Sequence, residues 1–126
     1  MRMLISNSSS VPIYEQIKNQ IIEQIMNDEL KEDDMLPSIR TLSKDIKISL
    51  MTIKKAYDQL EREGYIMSIA GKGTFVAPKG TELALEQAKK DIESHIQKAI
   101  DTAIKFNITK SEIDDLIEIL YRSENL

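Results

Sequence analysis

The spacing of apolar residues predicts three helices in the first half of the chain. Isoleucines recur at every fourth position from Ile13 to Ile25, a period that is typical of an amphipathic helix. A second helix is predicted after Pro37, with Ser38 as its N-cap, and Ser49 is predicted to cap a third. The apolar face of the third helix consists of Ile53, Ala56, Tyr57 and Leu60.

Two short runs with β propensity follow the third helix. They are Tyr65–Ile69 and Thr74–Ala77, and Ala70-Gly71-Lys72-Gly73 joins them. Two glycines within three residues, placed between such runs, predict a β-hairpin. After a polar leader at residues 1–10, the domain at residues 11–79 is therefore predicted as helix, helix, turn, helix and hairpin. The fold class is mainly α with a small β-hairpin (α+β).

Residues 80–126 form a second predicted domain, in which Thr81–Leu126 contains neither Pro nor Gly. Apolar residues recur there at helical spacing, and Thr109-Lys110-Ser111-Glu112 matches the capping box of a last helix. Two helices joined by about four residues are expected to fold back antiparallel. Such a small pair must be covered by the first domain or by a second copy, and the long stripe favours a second copy. The expected dimerisation residues are Leu85, Ala88, Ile92, Ile96, Ala99, Ile100, Ala103, Ile113, Leu116, Ile117 and Leu120.

Composition argues against several kinds of chemistry. The 126-residue chain has no Cys, which excludes disulfides, thiolate metal sites and Cys nucleophiles. It has a single His, His95. No motif organises the carboxylates into a catalytic or metal site. No apolar run approaches the roughly 18 residues of a membrane span, and no signal peptide opens the chain. We therefore expect a cytoplasmic protein that is not an enzyme and needs no cofactor or metal.

The charge distribution isolates one basic segment in an acidic protein of net charge −4. Residues 11–36 carry two basic and seven acidic side chains, whereas Pro37–Lys55 carries five basic and one acidic. A plain solvated helix face is one interpretation of this segment. A surface that attracts a polyanion is the other.

The basic segment spans the turn between the second and third predicted helices. A recognition helix needs small hydrogen-bonding groups and cations at its N-terminal end, where base edges and phosphates lie. A Gly-rich hairpin tip lets the backbone approach a groove closely, and a Lys there attracts phosphate. The predicted contacts with double-stranded DNA are Ser38, Arg40, Lys44, Ser49, Thr52, Lys54, Lys55, Gly71, Lys72 and Gly73.

Several motifs, in their order along the chain, resemble the winged helix-turn-helix of GntR-family bacterial transcription regulators. They are Leu36-Pro37-Ser38-Ile39-Arg40-Thr41-Leu42, the Thr52–Leu60 pattern, Glu63-Gly64 and Gly71-Lys72-Gly73-Thr74-Phe75-Val76. The match covers about residues 11–77. The resemblance implies a winged helix-turn-helix domain that binds DNA.

The short tail is similar to that of the YtrA-like subgroup of this family. Forty-six residues after Gly80 are too few for the family's metabolite-binding, lyase-like or aminotransferase-like domains. The resemblance implies a dimer formed through a brief helical tail. It also implies a repressor, often of an operon that encodes an ATP-driven transporter. A small-molecule effector is left open, because two helices enclose no obvious pocket, although a crevice beside the tail is an alternative.

Two positions depart from the family pattern. Members typically have Arg directly after the Ser that starts the recognition helix, where this chain has Leu50, and a polar residue where it has Ala70. Loss of a guanine-reading Arg removes roughly 1–3 kcal/mol of base discrimination, so a weaker or more A·T-tolerant operator is expected. Two hypotheses result. The first is a homodimeric repressor on an inverted-repeat operator, and the alternative is a protein-interaction adaptor that does not bind DNA.

Overall fold

The computed structural model describes residues 1–124, and in this range the chain forms five helices and three strands. They are α1 Ile13–Met26, β1 Met35–Leu36, α2 Ile39–Ile46, α3 Leu50–Arg62, β2 Ile66–Ile69, β3 Gly73–Val76, α4 Glu82–Lys105 and α5 Lys110–Ser123. This is the mainly helical α+β fold that the sequence predicts. The chain divides into two compact units between Gln87 and Ala88.

The core of the first unit lies between α1, α3 and the sheet. Ile17, Ile21 and Ile25 of α1 are buried, as their fourfold spacing predicts, and they belong to the same cluster as Ile53 and Leu60 of α3. Burying one such side chain stabilises the fold by about 1.5–3 kcal/mol. Packing of α1 against α3 therefore fixes α3 as a rigid element of the unit.

The sheet has three strands, one more than the predicted hairpin. β3 is central and pairs antiparallel with β2 on one side and with β1 on the other. Met35 of β1 lies opposite Phe75, and the Val76 N–H donates to the Asp34 carbonyl at 2.9 Å. The sequence does not predict β1, because two residues show no periodicity and their pairing partner lies far along the chain.

The first residues are bound to α1 along a ladder of glutamine side chains, so this segment is more than a polar leader. The ladder joins Gln16 to Ser6, Gln20 to Leu4 and Gln24 to Arg2. Gln16 and Gln20 each accept a backbone N–H at 2.8 Å and return their amide N–H to the carbonyl of the same residue. The intervening Met3 and Ile5 pack against the core, so alternate residues bind the helix and the core.

Removal of the ladder is expected to destabilise the first unit. The double variant Gln16→Ala, Gln20→Ala should lower the free energy of unfolding by about 2–3 kcal/mol, because it removes four solvent-exposed hydrogen bonds of the ladder, each of which contributes the lower part of about 0.5–1.5 kcal/mol. Urea unfolding measures the change. Asn19→Ala is the matched control, since Asn19 is exposed on the same helix. Equal stability of the two variants would show that the ladder contributes nothing.

The second unit contains most of α4, and all of α5, with the predicted cap between them. The Thr109 hydroxyl accepts the Glu112 N–H at 3.2 Å. Within residues 88–124, however, most apolar side chains of the two helices are exposed, so the helices cover little of each other's apolar surface. Two helices alone bury too little apolar area to hold each other along their length.

The apolar stripes of the tail consequently remain largely exposed. Ile92 and Ile96 are 58% and 47% exposed, and Leu120 is 62% exposed. Of the expected dimerisation residues, Leu85, Ile92, Ile96, Ala99, Ile100, Leu116, Ile117 and Leu120 are exposed, and Ala88 and Ile113 are half-buried. Ala103 is an exception, since it is buried within its own chain.

Candidate nucleic-acid interface

Two serines begin α2 and α3 in the same way, as the sequence predicts. The Ser38 hydroxyl accepts the Thr41 N–H at 3.0 Å, and the Ser49 hydroxyl accepts the Thr52 N–H at 3.3 Å. Each serine hydroxyl also lies 2.8 Å from the hydroxyl of its threonine. Both serines are exposed and Thr52 is half-buried, so hydroxyl groups and helix N-termini meet at the surface.

The turn between α2 and α3 holds the two helices in a defined arrangement. Lys47 adopts the left-handed conformation, with φ of +57°, and ends α2. The Ile48 N–H donates to the Ser43 carbonyl at 3.2 Å, and the Ser43 hydroxyl donates to the Ile48 carbonyl. Ile48 packs against the core. The N-terminus of α3 is thus held by hydrogen bonds and by an apolar anchor.

Tyr57 ties the middle of α3 to the start of α2. Its side chain is buried, and its hydroxyl donates to the Pro37 carbonyl at 2.7 Å. Burial raises the pKa of the Tyr57 hydroxyl, so the group remains a protonated donor around neutral pH. The sequence analysis assigned Tyr57 to the core, and the structure confirms this.

Two cations take part in contacts between α1 and either α3 or its C-cap residue, Glu63. The Lys18 ammonium lies 2.6 Å from a carboxylate oxygen of Glu63. The Lys55 ammonium lies 3.9 Å from the ring centroid of Tyr14, within cation–π range. Lys55, expected at the DNA, is thus directed onto α1. These partners are remote in sequence, and no local pattern marks them.

The remaining cations of the basic segment are at the surface. Arg40 and Lys44 are exposed on α2, and within residues 1–124 neither makes an ion pair. Lys54 pairs with Asp58 on the same helix at 2.9 Å, but both side chains are about half exposed, so the pair contributes little and a phosphate can compete for it. Lys47 is exposed in the turn beside Ser49 and adds a cation to this surface.

The tip of the β2–β3 hairpin presents Lys72 between two glycines with positive φ. The φ angles of Gly71 and Gly73 are +76° and +125°. The Lys72 N–H donates to the Ile69 carbonyl at 2.9 Å and closes the turn. A Cβ atom on Gly71 would meet nothing within 4 Å, so open space surrounds this exposed tip.

The part of the chain that the structure describes contains neither a cluster of metal-ligating side chains nor a helix that could span a membrane. Within residues 1–124, no three His, Cys, Asp or Glu side chains lie close enough to hold a metal ion. No helix in this range is both long and apolar enough to cross a bilayer. The candidate site consists of the exposed cations and the capped helix ends around α2, α3 and the hairpin.

Comparison with known proteins places this site in a family. Residues 13–76 match the family model described as bacterial regulatory proteins, gntR family. The HTH-type transcriptional repressor YtrA of Bacillus subtilis (strain 168) is 37% identical over 92 residues, which cover 73% of this chain and 71% of YtrA. Other curated relatives are longer, and this chain spans 35% of one and 20% of another.

Solved structures agree over both the whole chain and the DNA-binding part. YtrA from Sulfolobus acidocaldarius, a GntR-family transcription factor, is 32% identical with a TM-score of 0.63, over 98% of this chain and 100% of that chain. The DNA-binding domain of AraR in complex with operator ORR3 is 30% identical with a TM-score of 0.52, over 61% of this chain and 93% of that one. From the match to residues 13–76 and the likeness to these regulators, the chain belongs to the GntR family of bacterial transcriptional regulators and resembles its YtrA-like members.

Proposed function

We propose that the chain is a homodimeric transcriptional repressor that binds an inverted-repeat operator in double-stranded DNA. The observation that supports this proposal most directly is the exposed, cationic surface formed by α2, the turn and the start of α3. Relatives that are transcriptional repressors, and a similar domain solved in complex with its operator, point the same way. Repression follows if the bound dimer covers a promoter.

The groups on this surface match the two kinds of contact that a regulator makes with DNA. The N-terminal end of α3 enters the major groove, where the hydroxyls of Ser49 and Thr52 reach base edges or phosphates. Arg40 and Lys44 contact phosphates beside the groove, and the free N–H groups at a helix N-terminus suit a phosphate as well. Lys72 contacts the backbone or the neighbouring minor groove.

The exposed apolar stripes of the tail support the dimer. A monomer that exposes several Ile and Leu side chains on one helix gains free energy when a second copy covers them. Two identical chains that pair through the same surface are related by a twofold axis. Two α3 helices related by a twofold axis would contact two identical half-sites in opposite orientation, which form an inverted repeat. The centres of the half-sites are expected to lie about one turn of the DNA helix apart, or a multiple of that.

The test is binding-site selection on random duplexes, followed by affinity measurements between 50 and 200 mM salt. Affinity for the selected operator should fall as salt rises, because lysine and arginine contacts release counterions from DNA. Arg40→Ala should weaken binding and reduce the slope of log affinity against log salt by about one per subunit. Lys89→Ala, an exposed cation on α4, is the control and should leave the slope unchanged.

Two results would contradict the proposal. One is the absence of any preferred duplex. The other is an affinity that does not respond to salt, since the phosphate contacts would then be missing. An adaptor that binds another protein through the same fold predicts the first of these results, so binding-site selection separates the two hypotheses.

A further inference from the structure

Two large apolar side chains are exposed on the first turn of α3, at the residues that directly follow the Ser49 cap. Leu50 is 45% exposed and Met51 is 75% exposed. The buried face of the helix is formed by other residues, Ile53, Ala56, Tyr57 and Leu60, so neither side chain belongs to the core. Met51 borders a shallow surface depression with Lys54 and Lys55, which places it among the cations of the same helix.

The position of these side chains restricts what they can contact. The N-terminal residues of the second helix of a helix-turn-helix are the ones that reach base edges in the major groove. Leu and Met side chains offer no strong donor or acceptor there. Among the base edges of the major groove, the one apolar group is the 5-methyl of thymine, and apolar side chains read it by direct contact. Opposite a G·C pair, the Leu and Met side chains would displace water from the polar groups of the base edges without replacing the hydrogen bonds that the water made.

We propose that Leu50 and Met51 read pyrimidine 5-methyl groups in each operator half-site, which in unmodified DNA are those of thymines. The inference rests on the proposed function and specifies the base chemistry that the site recognises. It also gives a positive role to Leu50, the position at which related regulators typically have an arginine. A 5-methylcytosine carries the same methyl group, and the experiment distinguishes it from thymine.

The test uses the full chain and the selected operator, in which single thymines of the half-site are replaced by deoxyuridine. This replacement removes only the methyl group and leaves all base-pairing groups in place. Removal of a contacted methyl should weaken binding about four-fold, the effect of exposing one buried methyl-sized group. In Leu50→Ala or Met51→Ala, the same replacement should have no effect at the position that the missing side chain reads.

Matched variants and bases exclude indirect effects. Met26→Ala removes another exposed methionine, at the end of α1, and should retain the full deoxyuridine effect. Leu50→Arg should shift the selected sequence toward guanine at the affected position. In a duplex with cytosine at that position, 5-methylcytosine should restore part of the affinity if the methyl alone is recognised, and should restore nothing if thymine is required by its carbonyl as well.

The inference is overturned if deoxyuridine leaves wild-type affinity unchanged at every thymine of the half-site. It is also overturned if deoxyuridine weakens wild type, Leu50→Ala and Met51→Ala equally, or if Leu50→Arg selects the same sequence as wild type. These outcomes require an operator that is bound, so they differ from a failure of the proposed function, in which no duplex is preferred. Unchanged operator affinity in both Leu50→Ala and Met51→Ala would overturn the inference as well.

Discussion

A single charge in the exposed stripe of α4, introduced by Ile96→Glu, is expected to convert the proposed dimer into monomers. Ile96 is 47% exposed in one chain and lies one helical turn from both Ile92 and Ile100. A glutamate buried there by a second copy would lose its hydration without gaining a partner, which costs several kcal/mol. Monomers then bind one half-site each. Operator affinity should fall by about 10²–10⁴-fold, the usual gain from linking two binding sites.

Sedimentation equilibrium gives the mass of the variant, and fluorescence anisotropy on the selected operator gives its affinity. Lys98→Glu is the control, since it places a glutamate at an exposed position on a different side of the same helix. It should remain a dimer. An Ile96→Glu protein that stays dimeric with full operator affinity would remove the tail stripe from the interface and leave the dimer unexplained.

The largest expected loss of stability comes from Gly64→Ala, at the end of α3. Gly64 has a φ of +86°, which L side chains rarely adopt and which costs an alanine roughly 1–2 kcal/mol. A Cβ atom there would also lie 2.9 Å from Leu83 Cγ and 3.0 Å from the backbone nitrogen of Ala84. Overpacking of this kind costs a further 1–3 kcal/mol or so. The sum is about 2–5 kcal/mol, a large part of the stability of a small unit.

Gly71→Ala separates the two contributions. Gly71 also has positive φ, but a Cβ atom added there would meet nothing within 4 Å. Alanine at this position is therefore destabilised by the backbone conformation only, without overpacking. Thermal unfolding should therefore show a smaller loss for Gly71→Ala than for Gly64→Ala. Equal losses would mean that the neighbouring chain at Leu83 relaxes freely and that the close approach carries no energetic consequence.

Local patterns accounted for the helices and their caps. The fourfold spacing of isoleucines predicted α1 and its buried face, and the serines at positions 38 and 49 predicted the starts of α2 and α3. Each of these features depends on residues within one or two turns of each other. A sequence window therefore contains all the information that determines them.

Contacts between residues that are distant in sequence could not be predicted from local patterns. β1 exists only because Met35 finds Phe75 across the sheet, and the Arg2–Ser6 segment is ordered because α1 presents glutamines at every fourth position. The placement of Lys55 over the Tyr14 ring is of the same kind. In each case the partner is chosen by packing of elements that are remote in sequence.

The sequence by itself determined the order of the helices and of the two hairpin strands, the basic segment and the family, because periodicity, capping and charge depend on neighbouring residues. Only the tertiary structure decided which cations stay free at the surface, and that Leu50 and Met51 face solvent beside them. It also showed that α4 and α5 leave their apolar stripes uncovered within residues 88–124. Exposure depends on what the rest of the chain covers, and a linear pattern does not contain that information.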